Sequence, residues 1–345
     1  MKALQGKAKA RSKQSRRSAA HSSAAKALYA AVEERSVTLV LGAGVSKPRG
    51  VPDWRGLTRL LWQNLLGAKS VPAWLSEGGA APHPLADQMA IERLRARCDD
   101  EPRFVAELRA ALYGRATRQA DPSDTLGVLA RVLKAEQAAE RRRILRVITF
   151  NADDHLESEV NRGHNARRDP VLWPIARESG HPRMSRGAHD KAPIPVYHVH
   201  GFLPRDGLAR RWRDAPDTLV FTDAEYWATA ASPLTFANRV MAQALHDSSC
   251  IFVGVSMTDV NLIRWLGVRH NAIRDDIAAQ GTYTAAAARA RTRDALLRHF
   301  WVRRDDSDPS GLISELLLAR GVRSVSLEGW GSPFEKLMLG CFGLR

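Results

Sequence analysis

The chain has 345 residues, 44% of them hydrophobic, enough for one large core or two modest ones. No apolar run reaches 18 residues, which excludes a membrane-spanning helix, and the basic N-terminus lacks the apolar stretch of a secretory signal. The net charge is +15, and the three cysteines, Cys98, Cys250 and Cys341, stand too far apart for a C-x-x-C pair or a four-thiolate zinc site. Such cysteine usage suits a reducing, cytoplasmic setting.

In chain order, Lys2, Lys7, Lys9, Arg11, Lys13, Arg16, Arg17 and Lys26 come without a single acid, about half of the charge excess. Residues 1–22 are expected to form a disordered basic tail, which either solubilises the chain or contacts nucleic acid. Ala24–Glu34 has helical spacing and leads into an apolar strand, Val37–Leu41. Helical spacing returns at Leu57–Leu66, Leu85–Arg97, Arg103–Tyr113 and Thr125–Glu140, giving a helical insertion over about 57–141. A second strand covers Ile144–Phe150. The stretch Asn161–Lys191, rich in Arg, His, Gly and Pro, reads as a long loop over the sheet's edge. Further strands are predicted at Ile194–His200, Thr218–Phe221, Cys250–Gly254, Phe300–Val302 and Val322–Leu327, with helices at Phe236–His246, Val260–Val268 and Leu312–Ala319. Strands alternate with helices, and the clearest strands are apolar on both faces. This predicts a three-layer α/β/α Rossmann-like parallel sheet over 23–345, with a helical insertion subdomain.

Val37–Leu41 runs into Gly42-Ala43-Gly44-Val45-Ser46. Glycines at a strand's carboxyl end let backbone N–H groups approach phosphate oxygens, or simply make a tight strand-to-helix turn. The dinucleotide fingerprint G-x-G-x-x-G fails at Lys47, and no acid stands about 20 residues on to hold a ribose. Gly50-Val51-Pro52-Asp53-Trp54-Arg55 adds a rigid proline, an acid, an aromatic ring and a cation. Three more strand ends carry polar groups: Thr149-Phe150-Asn151-Ala152-Asp153-Asp154, His198-Val199-His200-Gly201, and Gly254-Val255-Ser256-Met257-Thr258-Asp259 with Asn261. In a parallel sheet all carboxyl ends lie on one side, so these groups can converge on one cleft.

The first loop with Pro52–Arg55 resembles the sirtuin NAD-binding signature. Thr149–Asp153 is similar to the family's Thr-Gln-Asn-Ile-Asp, with Phe150 in place of glutamine, and His200-Gly201 to its catalytic His-Gly. Gly254-Val255-Ser256 sits where the family binds the adenosine half. The order agrees across about residues 30–330, but the two C-x-x-C pairs of the sirtuin zinc module are missing. Val196–Gly201 and Val253–Leu262 look closer to sirtuin-like domains of bacterial anti-phage defence, which deplete NAD on infection.

The resemblance implies an NAD+ glycohydrolase that releases nicotinamide and ADP-ribose, with NAD as substrate and no metal. It implies Asn151 and His200 as the catalytic pair, and Gly42, Ala43, Gly44, Ser46, Asp53, Trp54, Arg55, Asp153, Gly254, Ser256 and Asn261 as NAD-binding residues. It further implies assembly as a homo-oligomer or with a nucleic-acid-dependent partner such as a translocase-type ATPase. An NAD- or ADP-ribose-sensing module without turnover is the alternative, and a protein deacylase a third. The chemistry is consistent: nicotinamide leaves as the neutral base of a cationic group, so the site must mainly hold the ribose and offset charge. Asn151 can orient a ribose hydroxyl or water, or else cap a helix; His200 can accept a proton, or else sit bonded in the core. His198 is expected behind the cleft, Asp259 is either an N-cap or a ligand, and Cys250 belongs to inert core.

Overall fold

The computed structural model describes residues 23–76, 78–83, 85–98, 100–114, 121–164, 170–180, 192–205, 218–257, 259–280 and 284–344. The expected tail, residues 1–22, lies outside the described residues, as does Thr258. Helix α1 (23–34) leads into β1 (Val37–Leu41). Four helices follow before the next strand: α2 (Trp54–Leu66), α3 (Ala86–Arg97), α4 (Glu101–Tyr113) and α5 (Thr125–Ala138). Then come β2 (Ile144–Thr149), α6 (His155–Val160), β3 (Leu172–Ile175), β4 (Ile194–His198), α7 (Asp223–Ala231), α8 (Phe236–Asp247) and β5 (Ser249–Val253). The chain continues through α9 (Val260–Ala279), α10 (Ala285–Leu296), β6 (His299–Arg304), α11 (Leu312–Ala319), β7 (Val322–Leu327) and α12 (Ser332–Cys341).

All seven strands pair in parallel, in the order β3-β4-β2-β1-β5-β6-β7. Their side chains alternate between two helical layers, because successive Cβ atoms point to opposite faces. Leu39, Leu41, Val147, Val196, Ile251, Val253 and Val302 pack with Leu28, Leu129, Phe334 and Met338 of α1, α5 and α12. Val40, Ile148, Phe252 and Trp301 pack with Met241, Leu262, Trp265 and Leu317 of α8, α9 and α11. This is a three-layer α/β/α Rossmann-like fold. From β1 the chain first builds β2, β3 and β4 on one side, then crosses to β5, β6 and β7 on the other. The order therefore reverses between β1 and β5, where open α/β sheets open a crevice beyond the strand ends.

The helical insertion has its own apolar cluster, built from Leu57, Leu61, Ile91, Leu94, Phe104, Leu108 and Leu112. Ala152, Leu203, Leu219 and Phe221, from loops at the carboxyl edge of the sheet, belong to the same cluster. The insertion thus rests on that edge and walls the crevice.

Three expectations need correction. The loop expected over Asn161–Lys191 contains β3, an edge strand that tolerates Pro174 because an edge needs only one ladder. Asn161, 3% exposed, fixes it: Oδ1 accepts from Val171 and Leu172 N–H, and Nδ2 donates to the Leu172 carbonyl. Second, Thr218–Phe221 forms no ladder strand; Val220 N–H donates to the His200 carbonyl, a contact that clamps the His200 peptide. Third, α9 runs to Ala279, well past Val268. Helix α6 (His155–Val160) is the one expected near Asp153, whereas α7, α10 and α12 carry no clear signal in the sequence.

Candidate NAD-type nucleotide site

The register aligns the strand ends in one row: His198 beside Thr149, Thr149 beside Leu41, Leu41 beside Val253, Val253 beside Val302. The residues just beyond that row line a cleft of about 710 Å3. Gly42, Ala43, Gly44, Asp53, Trp54, Arg55, Asn151, Asp153, His200, Gly254 and Ser256 all face it. Ser46 and Asn261, expected there, do not. Ser46 is 1% exposed and points backwards, donating to Asp153 Oδ1 at 3.2 Å while accepting from Asn151 Nδ2. Asn261, also 1% exposed, sits under the first turn of α9 and accepts from Arg264.

The glycines have a different reason from the one expected. Gly42 N–H donates to the Val253 carbonyl and Gly44 N–H to the Gly254 carbonyl, so neither amide is free for a phosphate. A Cβ on Gly42 would lie 2.6 Å from the Gly254 oxygen, and one on Gly44 2.7 Å from the Gly254 Cα. Gly254 itself has φ +67°. The loops after β1 and β5 are welded backbone to backbone, and only glycine allows that approach.

Asn151 is half-buried and fixed from three sides. Its Nδ2 donates to the Gly42 carbonyl (3.3 Å) and to Ser46 Oγ (3.2 Å), and its backbone N–H to Thr149 Oγ1. It does not cap α6. Among the described residues nothing donates to Oδ1, the atom left for a ligand. Behind it, His198 Nδ1 is 2.9 Å from the Asn151 carbonyl oxygen and Nε2 2.8 Å from Glu157 Oε1. A carbonyl only accepts, so Nδ1 carries a hydrogen and Nε2 shares one proton with Glu157. His198 is 1% exposed, behind the cleft as expected.

His200 presents the most telling geometry. Its ring is 1% exposed, and among the described residues neither Nδ1 nor Nε2 has a hydrogen-bond partner. Phe150 and Tyr226 bracket it edge-on at 5.0 and 5.2 Å. Burial lowers its pKa and Asp259 only partly opposes this, so the imidazole is neutral with a lone pair available. Two unpaired polar atoms in a buried wall are costly unless a ligand satisfies them.

Asp259 is the N-cap of α9 and also lines the cleft. Oδ1 accepts Leu262 N–H, and Oδ2 accepts from Tyr226 Oη. Asp53 caps α2 through Gly56 N–H and pairs with Lys47 at 2.9 Å. Burial raises its pKa, but Gly56 and Lys47 outweigh that and hold it below the usual value. Arg55 donates to the Gly79 carbonyl, and Trp54 meets Phe221 edge-on at 5.1 Å. Burial pushes Asp153, at the cleft wall, up to about 6; behind it, burial pushes Asp154 up to about 6 and His155 down to about 3. Cys250 is fully buried, its thiol pushed up to about 12 by burial.

Sequence reasoning passed over Asp87, Phe221, Trp301, Arg303, Ser307 and Trp330, all of which line the cleft. Asp87 comes from the insertion, away from any strand end, and Phe221 ends an apolar run that reads as a core strand rather than as a site. Arg303 follows a strand whose end was placed one residue short of it. Buried Arg49, which pairs with Asp124 and, at 3.0 Å, with Glu159, holds the first loop against α5.

A cleft at the switch point of a parallel sheet is where α/β proteins of this Rossmann-like type take their ligands. Residues 145–307 match the family model of the SIR2-like domain. Over that stretch the chain is similar to SIR2-like domains, which are typically NAD-utilising enzymes. The matched stretch contains Asn151, His200, Gly254 and Arg303; the loop from Gly42 to Arg55 precedes it and is joined to it by the contacts above. No curated protein matches the sequence. Among the described residues no cluster of three His, Cys, Asp or Glu is placed to hold a metal ion, and no helix is long and apolar enough to cross a membrane.

Proposed function

We propose that the protein is an NAD+ glycohydrolase, releasing nicotinamide and ADP-ribose, and that it serves bacterial anti-phage defence by depleting NAD. The observation that carries the reading is the pair of unpartnered, buried ring nitrogens of His200 across the cleft from the free Oδ1 of Asn151. Asn151 Oδ1 accepts from a ribose hydroxyl or from the attacking water. His200, neutral, takes the proton that this hydroxyl or water loses. Trp54, Phe150 and Phe221 keep the nicotinamide end dry, which strengthens every polar contact inside. Phe150 also favours hydrolysis over deacylation. Where sirtuins place a glutamine, this chain places a ring against His200. The defence role rests on the resemblance of Val196–Gly201 and Val253–Leu262 to sirtuin-like defence domains. An assembly with further copies or with a nucleic-acid-dependent ATPase belongs to the same reading, as does domain limits of 23–345.

The test is made in cells. Expression of the wild-type chain, with phage infection as trigger, should collapse intracellular NAD, while Asn151→Ala and His200→Ala preserve it. NAD levels that stay constant for all three chains, with the protein binding NAD tightly, would favour the sensing module instead.

A further inference from the structure

We propose that the cleft accepts dinucleotides phosphorylated on the adenosine ribose, NADP+ as well as NAD+, with Arg303 receiving the extra phosphate. The inference rests on the NAD reading for the orientation of the ligand.

The row of strand ends runs β4, β2, β1, β5, β6. His200 follows β4, and Arg303 lies four strand spacings away in β6, about 19 Å at the usual inter-strand distance. A dinucleotide with its nicotinamide ribose between Asn151 and His200 therefore crosses the Gly42–Gly254 weld and brings its adenosine ribose to the β6 end. That end is lined by Ser256, Trp301, Arg303, Ser307, Ile313 and Trp330. It holds a cation, Arg303. Of the acids lining the cleft, Asp53, Asp87 and Asp153 come from other loops and helices. Asp259 shares the β5–α9 loop with Ser256, but its carboxylate is taken up by Tyr226 Oη and Leu262 N–H on the His200 side.

NAD-selective sites use an acid to hold the 2′-hydroxyl and to repel a 2′-phosphate, whereas an arginine admits the phosphate. Arg303 is built as such an anchor. Its Nη1 donates to the carbonyls of Arg304 (2.9 Å) and Asp305 (3.2 Å), and its guanidinium lies 5.5 Å from the Trp301 ring centre. Trp301 in turn is fixed by donating to the Val255 carbonyl. The Arg303 Nε is buried without a partner, and among the described residues the side chain has no ion-pair partner. Buried Asp308 feels its charge: against the effect of burial, hydrogen bonds from Ser314 and Ile313, with Arg303 adding to them, hold that carboxyl below its usual pKa without a direct ion pair to Arg303. A pre-positioned guanidinium facing a cleft suits a dianionic phosphate.

The experiment titrates the full chain carrying Asn151→Ala, which blocks turnover, with NAD+, NADP+, AMP and adenosine 2′,5′-bisphosphate in a calorimeter. The 2′-phosphorylated nucleotides should bind at least as tightly as their partners. Adding Arg303→Ala should shift that ratio roughly tenfold or more against the phosphorylated forms, and Arg303→Lys should retain part of it. Thermal melts certify that each variant is folded. Wild-type discrimination against the 2′-phosphate, or an equal loss for both members of each pair on Arg303→Ala, would overturn the proposal. Failure of all four nucleotides to bind would instead overturn the NAD reading and this inference with it.

Discussion

In the proposed reaction Asn151 and His200 act through atoms that the fold leaves unpaired. His198 and Glu157 grip the Asn151 peptide, and the proton shared between them needs a hydrogen-bonding partner at position 157. Glu157→Gln should keep most activity, because an amide N–H can donate to a neutral Nε2. Glu157→Ala should lower kcat about tenfold or more with little change in KM, measured by initial rates of nicotinamide release. The neutral state of His200 has a sign. Its folded pKa lies below the usual imidazole value of about 6.5, so the base stays active as pH falls through that value. The acid limb of the rate profile should therefore lie below pH ~6.5. Asp153 has the opposite shift. Raised to about 6 by burial, it keeps in the fold a proton that the unfolded chain has released above pH ~4. Its contribution is full below that pH and is lost as pH rises through about 6. Asp153→Asn should weaken this decline, seen by comparing urea midpoints at pH 4.5 and pH 7.

At the scale of elements, the weld between the loops after β1 and β5 sets the cleft. Gly44→Ala drives a methyl group to 2.7 Å from backbone, and no flexible side chain is there to yield. A loss of about 1–3 kcal/mol in unfolding free energy is expected by urea denaturation, together with weaker NAD binding. Gly67→Ala makes a useful control for contacts, since a Cβ there meets nothing within 4 Å, though its φ of +88° brings strain of its own. Much of this level was legible in sequence. The apolar runs of β1, β2, β4 and β5 are buried on both faces, and so they read as parallel strands. The edge strand β3 was hidden by Pro174 and by the polar residues around it. Helix α10, Ala285–Leu296, was hidden because it has no strong apolar stripe. The glycines were seen, but their reason was not. Sequence shows that a backbone must come close, not whether it approaches a phosphate or another loop.

For the whole molecule, the parallel order with its reversal between β1 and β5 explains why four separate strand ends meet. Strand alternation and two-sided apolarity were enough to give the layers, but nothing local reports strand order or which side chains face inward. That is why Ser46 and Asn261, polar and near strand ends, were placed in the cleft and instead lie behind it. It is also why Asp87 and Arg303, remote from the motifs, were missed. The insertion shares its apolar cluster with Ala152, Leu203, Leu219 and Phe221, so its stability and the cleft's shape are coupled. Leu61→Ala, at 0% exposure in that cluster, should cost about 2–5 kcal/mol and weaken NAD binding, read by denaturation and calorimetry.

The most direct measurement follows purified full-length chain with NAD+, with and without lysate from phage-infected cells as trigger, by chromatography of the products. One nicotinamide should be released for each NAD+ consumed in the triggered sample. His200→Ala should lower the rate about 10²–10⁴-fold while leaving the chain folded. Nicotinamide release unaffected by His200→Ala, or no release under either condition, would contradict it.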